Sequence, residues 1–309
     1  MLFRSAGYRR HFSVGLVAAG GGLGILIPPS VPLIVYATIA EISVGDVFLA
    51  ALGPGLLLGL VFCGFVIAMG DRMRDREDQL QIATAGSSRE LLAKLGRAAP
   101  VVALPFVILG GIYGGVFTPS EAAAVAVIYS VGLAFTFYRE PDMDGPVAMF
   151  ADAGRLSAAI LLIMAATSVF AYAVTLNQVP LQVAETVETW GLSLVIVLLC
   201  INLLVLALGC FLEIISVILI TAPIFLPVVT KLGMDPIHFG LLLVLNMELA
   251  VITPPIGMNL FVISAISDVP LLRVFRGTLP FVALIAVMLI FITYSETLAL
   301  ALFRLLQGI

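Results

Sequence analysis

Apolar residues in this chain come in long unbroken runs, and the polar residues are gathered into a few short stretches between them. Runs near 20 residues suit a hydrocarbon core of about 30 Å crossed at about 1.5 Å per residue, so each predicts a membrane-spanning helix. Nothing in the runs alternates with period two, as the strands of a membrane barrel would. The pattern predicts an all-α polytopic membrane protein.

Taken in order, the runs predict an interrupted span over 12–40, an outer loop at Glu41–Asp46 and a return span over 47–70. A basic stretch over 71–97 follows, then a span over 98–116 and another that starts at Thr118 and ends at Tyr138. Thr118-Pro119-Ser120-Glu121 has the form of a capping box with proline at the first helical position, which reads Glu121 as a cap. An inner loop over 139–155 leads to a span over 156–176, and Asn177–Trp190 reads as an amphipathic helix on the outer surface. Residues 191–232 predict a re-entrant hairpin with its tip at Gly209–Glu213, two full spans being the alternative. A second interrupted span over 237–267 and a last crossing over 277–303 complete the chain.

The two interruptions carry related signals. The first is GGGLGILIPPS, Gly20–Ser30, and the second is ITPPIG, Ile252–Gly257. Pro28 and Pro254, Pro29 and Pro255, and Pro54 and Pro280 share one constant offset in the numbering, 226. A double proline removes donors and ends a helix, leaving carbonyls that need partners at membrane depth. Two halves of the chain therefore repeat one design.

Composition narrows the class further. With 61% hydrophobic and 11% charged residues and a mean hydropathy of +1.19, the chain cannot coat a water-soluble globule and belongs in a lipid bilayer. Of its 15 basic residues, 13 fall on the side assigned as inner, the exceptions being Lys231 and Arg304. That sidedness runs the two broken spans in opposite directions, the inverted-repeat layout of secondary transporters. Cys63, Cys200 and Cys210 lie in apolar segments, and the two histidines are His11 and His238, so no disulfide framework and no transition-metal site is expected. No nucleophile and base stand at usable spacing, so no enzyme is expected. The net charge of −4 says little about partners, because in a membrane protein the distribution of charge matters more than its sum; no nucleic-acid partner is expected.

The segments GGGLGILIPPSVPLIVYATI with GDVFLAALGPGLLL, then GVFTPSEAAAVAVIY and NMELAVITPPIGMNLFVISAI, resemble the large membrane (permease) subunit of tripartite ATP-independent periplasmic (TRAP) transporters over nearly the whole chain. The resemblance implies a bacterial inner-membrane system, sodium-coupled and working as an elevator, that imports an organic acid such as a dicarboxylate or sugar acid. It implies a small membrane subunit and a periplasmic solute-binding protein as partners, and Na+ as coupling ion with no other cofactor. On this sequence it places residues 1–46 (first broken helix) and 191–276 (second hairpin and broken helix) in a transport domain. Residues 47–190 become scaffold and arm helices with a cytoplasmic loop at 71–97, and 277–309 a C-terminal transmembrane helix. By the same offset Met1 falls opposite Pro227, past the tip of the second hairpin, so the N-terminal part of a usual large subunit, its first hairpin included, is expected to be lacking.

Sodium prefers oxygen ligands, and carbonyls freed at a helix break supply them without formal charge. The candidates at the second break are Thr253, Pro254 and Gly257, faced by Gly209 and Glu213 of the hairpin tip. At the first break they are Gly24, Ile27, Pro28 and Ser30. The structural alternative is that these prolines and glycines only permit kinks and close helix packing. Asn246, Asn259, Tyr36, Thr38 and Ser264 are candidates for the substrate path, and for the asparagines an interhelical tie is the alternative. Glu213 and Glu248 sit deepest in apolar sequence, which allows a proton relay. Against that stands a cap for Glu213, and a paired or water-facing place for Glu248. His238 is expected to cap its helix. Rival functions are a self-sufficient carboxylate symporter and a non-transporting truncated or scaffold membrane protein.

Overall fold

The computed structural model describes residues 9–69, 88–138 and 146–308, and within them the regular structure is entirely helical. The first helices are α1 (Arg10–Leu26), α2 (Val31–Ile39), α3 (Val44–Met69), α4 (Ser88–Tyr113), α5 (Pro119–Leu133, followed by a π turn over Ala134–Tyr138) and α6 (Pro146–Leu176). After them come α7 (Val179–Thr189), α8 (Leu194–Gly209), α9 (Ile214–Lys231), α10 (Pro236–Ala250), α11 (Met258–Ser267), α12 (Leu271–Tyr294) and α13 (Glu296–Gln307). Seven helical segments among the described residues are long and apolar enough to cross a membrane, α1 and α2 counting as one. This is a polytopic membrane protein.

Two compact units divide the chain, one drawn from Met1–Ala85 with Asn177–Ile309, the other from Gly86–Leu176. In the first, α10 is the central element: every residue from His238 to Ala250 is buried. A helix apolar on all sides can be satisfied only by neighbours on all sides, and α1, α2, α3, α8, α9, α12 and α13 all pack against it. Helices α1 and α12 meet backbone to backbone. A β-carbon on Gly15 would fall 2.2 Å from the Gly277 carbonyl carbon, and one on Gly277 would fall 1.9 Å from the His11 oxygen. Glycines let helices approach this closely where only dispersion drives association. Phe281 of α12 then takes edge contacts from Phe62 and Phe65 of α3, at ring-centroid distances of 5.2 and 5.5 Å.

The repeat read from the prolines extends to whole helices. Advanced by the proline offset, α1, α2 and α3 fall on 236–252, 257–265 and 270–295, against 236–250, 258–267 and 271–294 for α10, α11 and α12. The Pro28–Pro29 and Pro254–Pro255 peptide bonds are both cis.

In the second unit α4 and α5 form a hairpin, and Tyr129 donates its hydroxyl proton to the Pro100 carbonyl at 2.8 Å. The capping box closes as expected: the Thr118 amide donates to Glu121 Oε2 at 2.8 Å, and the Glu121 amide donates to Thr118 Oγ1 at 3.3 Å. Large apolar side chains such as Phe106 and Ile128, each 73% exposed, face outward, as suits lipid contact.

Several boundaries depart from the sequence reading. Helix α4 begins at Ser88, so 88–97 is helix and not loop, because SRELLAKL contains strong helix formers and no breaker. Helix α6 likewise begins at Pro146, a favoured first position, inside the expected loop over 139–155. The last crossing ends at Tyr294, because Ser295 caps a new helix by accepting the Leu298 amide at 3.3 Å. The rest of the basic stretch, 70–87, and residues 1–8 and 139–145 lie outside the described residues.

Candidate functional site

Helix α10 ends at Ala250 and α11 begins at Met258. Between them the chain makes a tight loop rather than continuing as helix, because Pro254 and Pro255 have no amide protons to donate. Two bonds close the loop: the Thr253 amide donates to Ala250 O at 3.0 Å, and the Asn259 amide donates to Val251 O at 3.1 Å. Gly257 has φ +55, and a β-carbon there would lie 3.0 Å from the Thr253 carbonyl oxygen, so only glycine lets that carbonyl lie flat against the loop. The carbonyls of residues 252–256 accept no hydrogen bond from the described residues. Thr253 Oγ1 donates to Leu249 O at 2.7 Å and retains its acceptor capacity. Pro254 and Pro255 are exposed while Gly257 is buried. These carbonyls lie on one short loop and carry no formal charge.

The hairpin α8–α9 brings its turn to this neighbourhood. Gly209 at the end of α8 is buried against α10, where a β-carbon would meet Met247 Cε at 2.6 Å and Ala250 Cβ at 2.7 Å. Cys210 next to it is buried, Phe211, Leu212 and Glu213 are exposed, and Glu213 caps α9 by accepting the Ser216 amide at 3.2 Å. Glu213 thus does what an N-cap does, and the charge sits favourably at a helix N-terminus. At the other end of the hairpin, Lys231 pairs with Glu188 of α7 at 2.6 Å.

The first break repeats the loop. Ile27, Pro28 and Pro29 separate α1 from α2, and their carbonyls accept no hydrogen bond from the described residues. Ser30 is buried, and its hydroxyl donates back to Ile25 O. Ile27 packs into α3 at Gly55, where a β-carbon would meet Ile27 Cγ1 at 2.8 Å. Gly24 is exposed with open space at its β position.

The remaining candidates are spread over the unit. Asn246 is fully buried and donates to Asn202 O at 3.0 Å and Asn202 Oδ1 at 2.9 Å, and Asn202 donates in turn to Thr293 Oγ1 at 3.0 Å. This chain of amides ties α8, α10 and α12 together. Asn202 and Thr293 were not among the sequence candidates, although an amide within LLCINLLVL is itself an intramembrane polar signal. Asn259 donates to Ala18 O at 3.3 Å and ties α11 to α1. Tyr36 is buried, donates its hydroxyl to Pro236 O, and fills the space over Gly240, where a β-carbon would meet the ring at 2.2 Å. Thr38 and Ser264 bond to backbone oxygens of their own segments, at 2.9 Å to Ile34 O and 2.7 Å to Val269 O.

Two expectations need correction. His238 does not cap α10: Asp235 does, accepting the Ile237 and His238 amides at 2.7 and 3.1 Å, ahead of Pro236 in the first helical position. His238 is instead buried, with Nε2 2.6 Å from Ile292 O of α12. Glu248 is neither paired nor facing water. It is 0% exposed, and neither carboxyl oxygen has a hydrogen-bond partner among the described residues.

Comparison with known proteins covers nearly the whole chain. Residues 2–298 match the family model described as Tripartite ATP-independent periplasmic transporter, DctM component. The chain is 42% identical to the C4-dicarboxylate TRAP transporter large permease protein DctM of Pseudomonas aeruginosa, over 96% of this chain and 68% of that protein. It is 34% identical to the sialic acid TRAP transporter large permease protein SiaM of Vibrio cholerae, over 99% of this chain and 70% of that one. It is 32% identical to the ectoine TRAP transporter large permease protein TeaC of Halomonas elongata, over 90% and 64% respectively.

Proposed function

The chain belongs to the DctM component family of tripartite ATP-independent periplasmic transporters, and on that premise we propose that it carries the ion-coupled step by which an organic acid is imported. As a member it is a multi-pass membrane permease component of a bacterial TRAP system and not an enzyme. The reading beyond membership is a sodium-coupled elevator. Substrate arrives from a periplasmic binding protein, a small membrane subunit accompanies the large one, and the two broken helices run as inverted repeats that each hold a coupling ion. The transport domain would comprise 1–46 and 191–276, with the hairpin re-entrant, 47–190 as scaffold and arms, and 277–309 as the C-terminal membrane segment.

The observation that carries this reading is the loop over 252–256, whose carbonyls accept no hydrogen bond from the described residues, and which follows directly on the end of α10 where Met247 and Ala250 pack on Gly209 of the hairpin. Unpaired carbonyls inside a membrane protein are costly unless something binds them, and their recurrence at the matching break between α1 and α2 argues for a repeated purpose. A half-helix on each side of a break is also how carriers hold ions near the midplane. The ion candidates are Thr253, Pro254, Gly257, Gly209 and Glu213 at the second break and Gly24, Ile27, Pro28 and Ser30 at the first. The length of the first hairpin helix supports the re-entrant form: α8 has 16 residues, about 24 Å at 1.5 Å per residue, short of a full crossing. The relatives named for C4-dicarboxylate, sialic acid and ectoine support a small carboxylate as cargo.

The test is uptake into proteoliposomes holding the complete transport system that contains this chain. Labelled succinate, sialic acid and ectoine are offered in turn, with and without an inward sodium gradient and the binding protein. Uptake of one of them that requires both is the expected result. Uptake without sodium would overturn the coupling, and uptake without the binding protein would favour a self-sufficient symporter.

A further inference from the structure

Glu248 has no role in the carbonyl sites just described. It lies toward the end of its repeat's first half-helix, on the side of α10 that meets α1. Gly22 faces it, a β-carbon at that position falling 2.7 Å from Glu248 Cγ and 3.2 Å from Oε1. The carboxyl is wholly buried, and both oxygens lack a hydrogen-bond partner among the described residues. An ionised carboxylate held this way costs many kcal/mol, so the group needs a positively charged companion.

The companion can be identified by elimination among what the site admits. No basic side chain among the described residues pairs with it. Facing α10 in this unit, α1 carries Arg10 and His11 at its start, α12 carries Arg273 and Arg276 in its first turns, and α9 carries Lys231 at its end. Helix α13 offers Arg304, already paired with Glu296, α3 offers Asp46, which accepts from Gln307, and α2 offers Tyr36, engaged with Pro236. Helix α8 carries the thiol of Cys200 and ends at that of Cys210. His238, on α10 itself, is held by Ile292 on α12. A metal ion needs several ligands at bonding distance, and among the described residues no group of three or more His, Cys, Asp or Glu side chains comes together. A proton needs one lone pair and no volume.

We propose that Glu248 is a proton-binding site, enclosed between the two repeats at Gly22, and that a proton is a second coupling cation of this carrier. The idea of a second coupling cation rests on the transport reading above, but the presence of the bound proton does not. Protonation adds H+ to one carboxylate oxygen and neutralises it, and release returns the charge. Release therefore belongs to a state in which α1 and α10 separate enough to admit water.

Infrared difference spectroscopy on the purified full chain tests the site without any substrate. Wild type, taken between acidic and alkaline buffer, is expected to show the carbonyl stretch of a buried carboxylic acid, shifted to lower frequency when water is replaced by heavy water. That band should be lost in E248Q and shifted in E248D. A wild-type spectrum without the band, or E248Q retaining it, would overturn the proposal; if E248Q fails to fold, E248D and the isotope shift in wild type decide. In the complete system, sodium-driven uptake of the accepted solute should then drive alkalinisation outside the vesicles in wild type and not in E248Q. Absence of all uptake would strike the transport reading while leaving the infrared result standing.

Discussion

Gly22 of α1 and Glu248 of α10 hold the same place in the two repeats, and they touch, with Glu248 Cγ 2.7 Å from where a Gly22 β-carbon would be. When two copies of an element pack about a two-fold axis, residues near the axis meet their own counterparts. One member of such a pair must then shrink if the other grows, which accounts for glycine opposite glutamate. G22A should destabilise the protein by about 1–3 kcal/mol through overpacking, read as a lower melting temperature in detergent. E248A should relieve that cost, so the double variant should be less destabilised than the two single effects predict. Strict additivity would mean the contact is not made.

The crossing of α1 and α12 gives a sharper contrast. G277A places a methyl group 1.9 Å from the His11 oxygen, a backbone atom that cannot swing aside, whereas G20A meets nothing within 4 Å. G277A should cost about 3 kcal/mol or more, and G20A should stabilise by about 0.4–1 kcal/mol because helical alanine loses less chain entropy than glycine. Melting temperatures that move in the same direction for both would contradict the crossing.

Much of this is legible in the sequence. The double prolines, their constant spacing and the capping box at Thr118–Glu121 act through local chemistry that a sequence carries openly. The hairpin turn at Gly209–Glu213 also fell where expected. What was hidden depends on which face of a helix meets which neighbour. Asn246 and Glu248 are two positions apart, so they point to nearly opposite sides of α10, one into the amide chain and the other onto Gly22. Within a helix buried all round there is no polar face from which that could be read. His238 does not cap its helix because Asp235, three positions earlier, takes the free amides of the first turn, that of His238 included.

The amide chain from Asn246 through Asn202 to Thr293 gives a measurable coupling. A double-mutant cycle on N202L and N246L should return an interaction of about 0.6 kcal/mol, since intramembrane hydrogen bonds average near that value. Each single variant also strands a buried partner, so each alone should cost about 1–3 kcal/mol. An interaction energy indistinguishable from zero would mean that these amides do not hold α8 to α10.

The salt bridge between Lys231 and Glu188 is expected to matter little for stability. Both side chains are about half exposed, at 51% and 57%, and exposed pairs contribute about 0–1 kcal/mol. K231A should therefore shift the melting temperature only slightly, and less still at high salt. A large, salt-insensitive loss would show that α7 is fixed to the hairpin by this pair alone.

The second break offers the most direct test of ion binding. Replacing Pro254 and Pro255 together by alanine restores two amide protons and removes the ring that bars α10 from continuing. Helix can then grow into the loop, and carbonyls of 252–256 that now accept nothing gain intrahelical partners. An ion that used them loses ligands. In the complete transport system the double variant should need about tenfold more sodium for half-maximal uptake, the equivalent of about 1.4 kcal/mol of lost binding. It should still elute from size-exclusion chromatography as a folded protein, because Pro254 and Pro255 are exposed. Sodium dependence unchanged from wild type would remove this loop from the coupling mechanism, whatever becomes of Glu248.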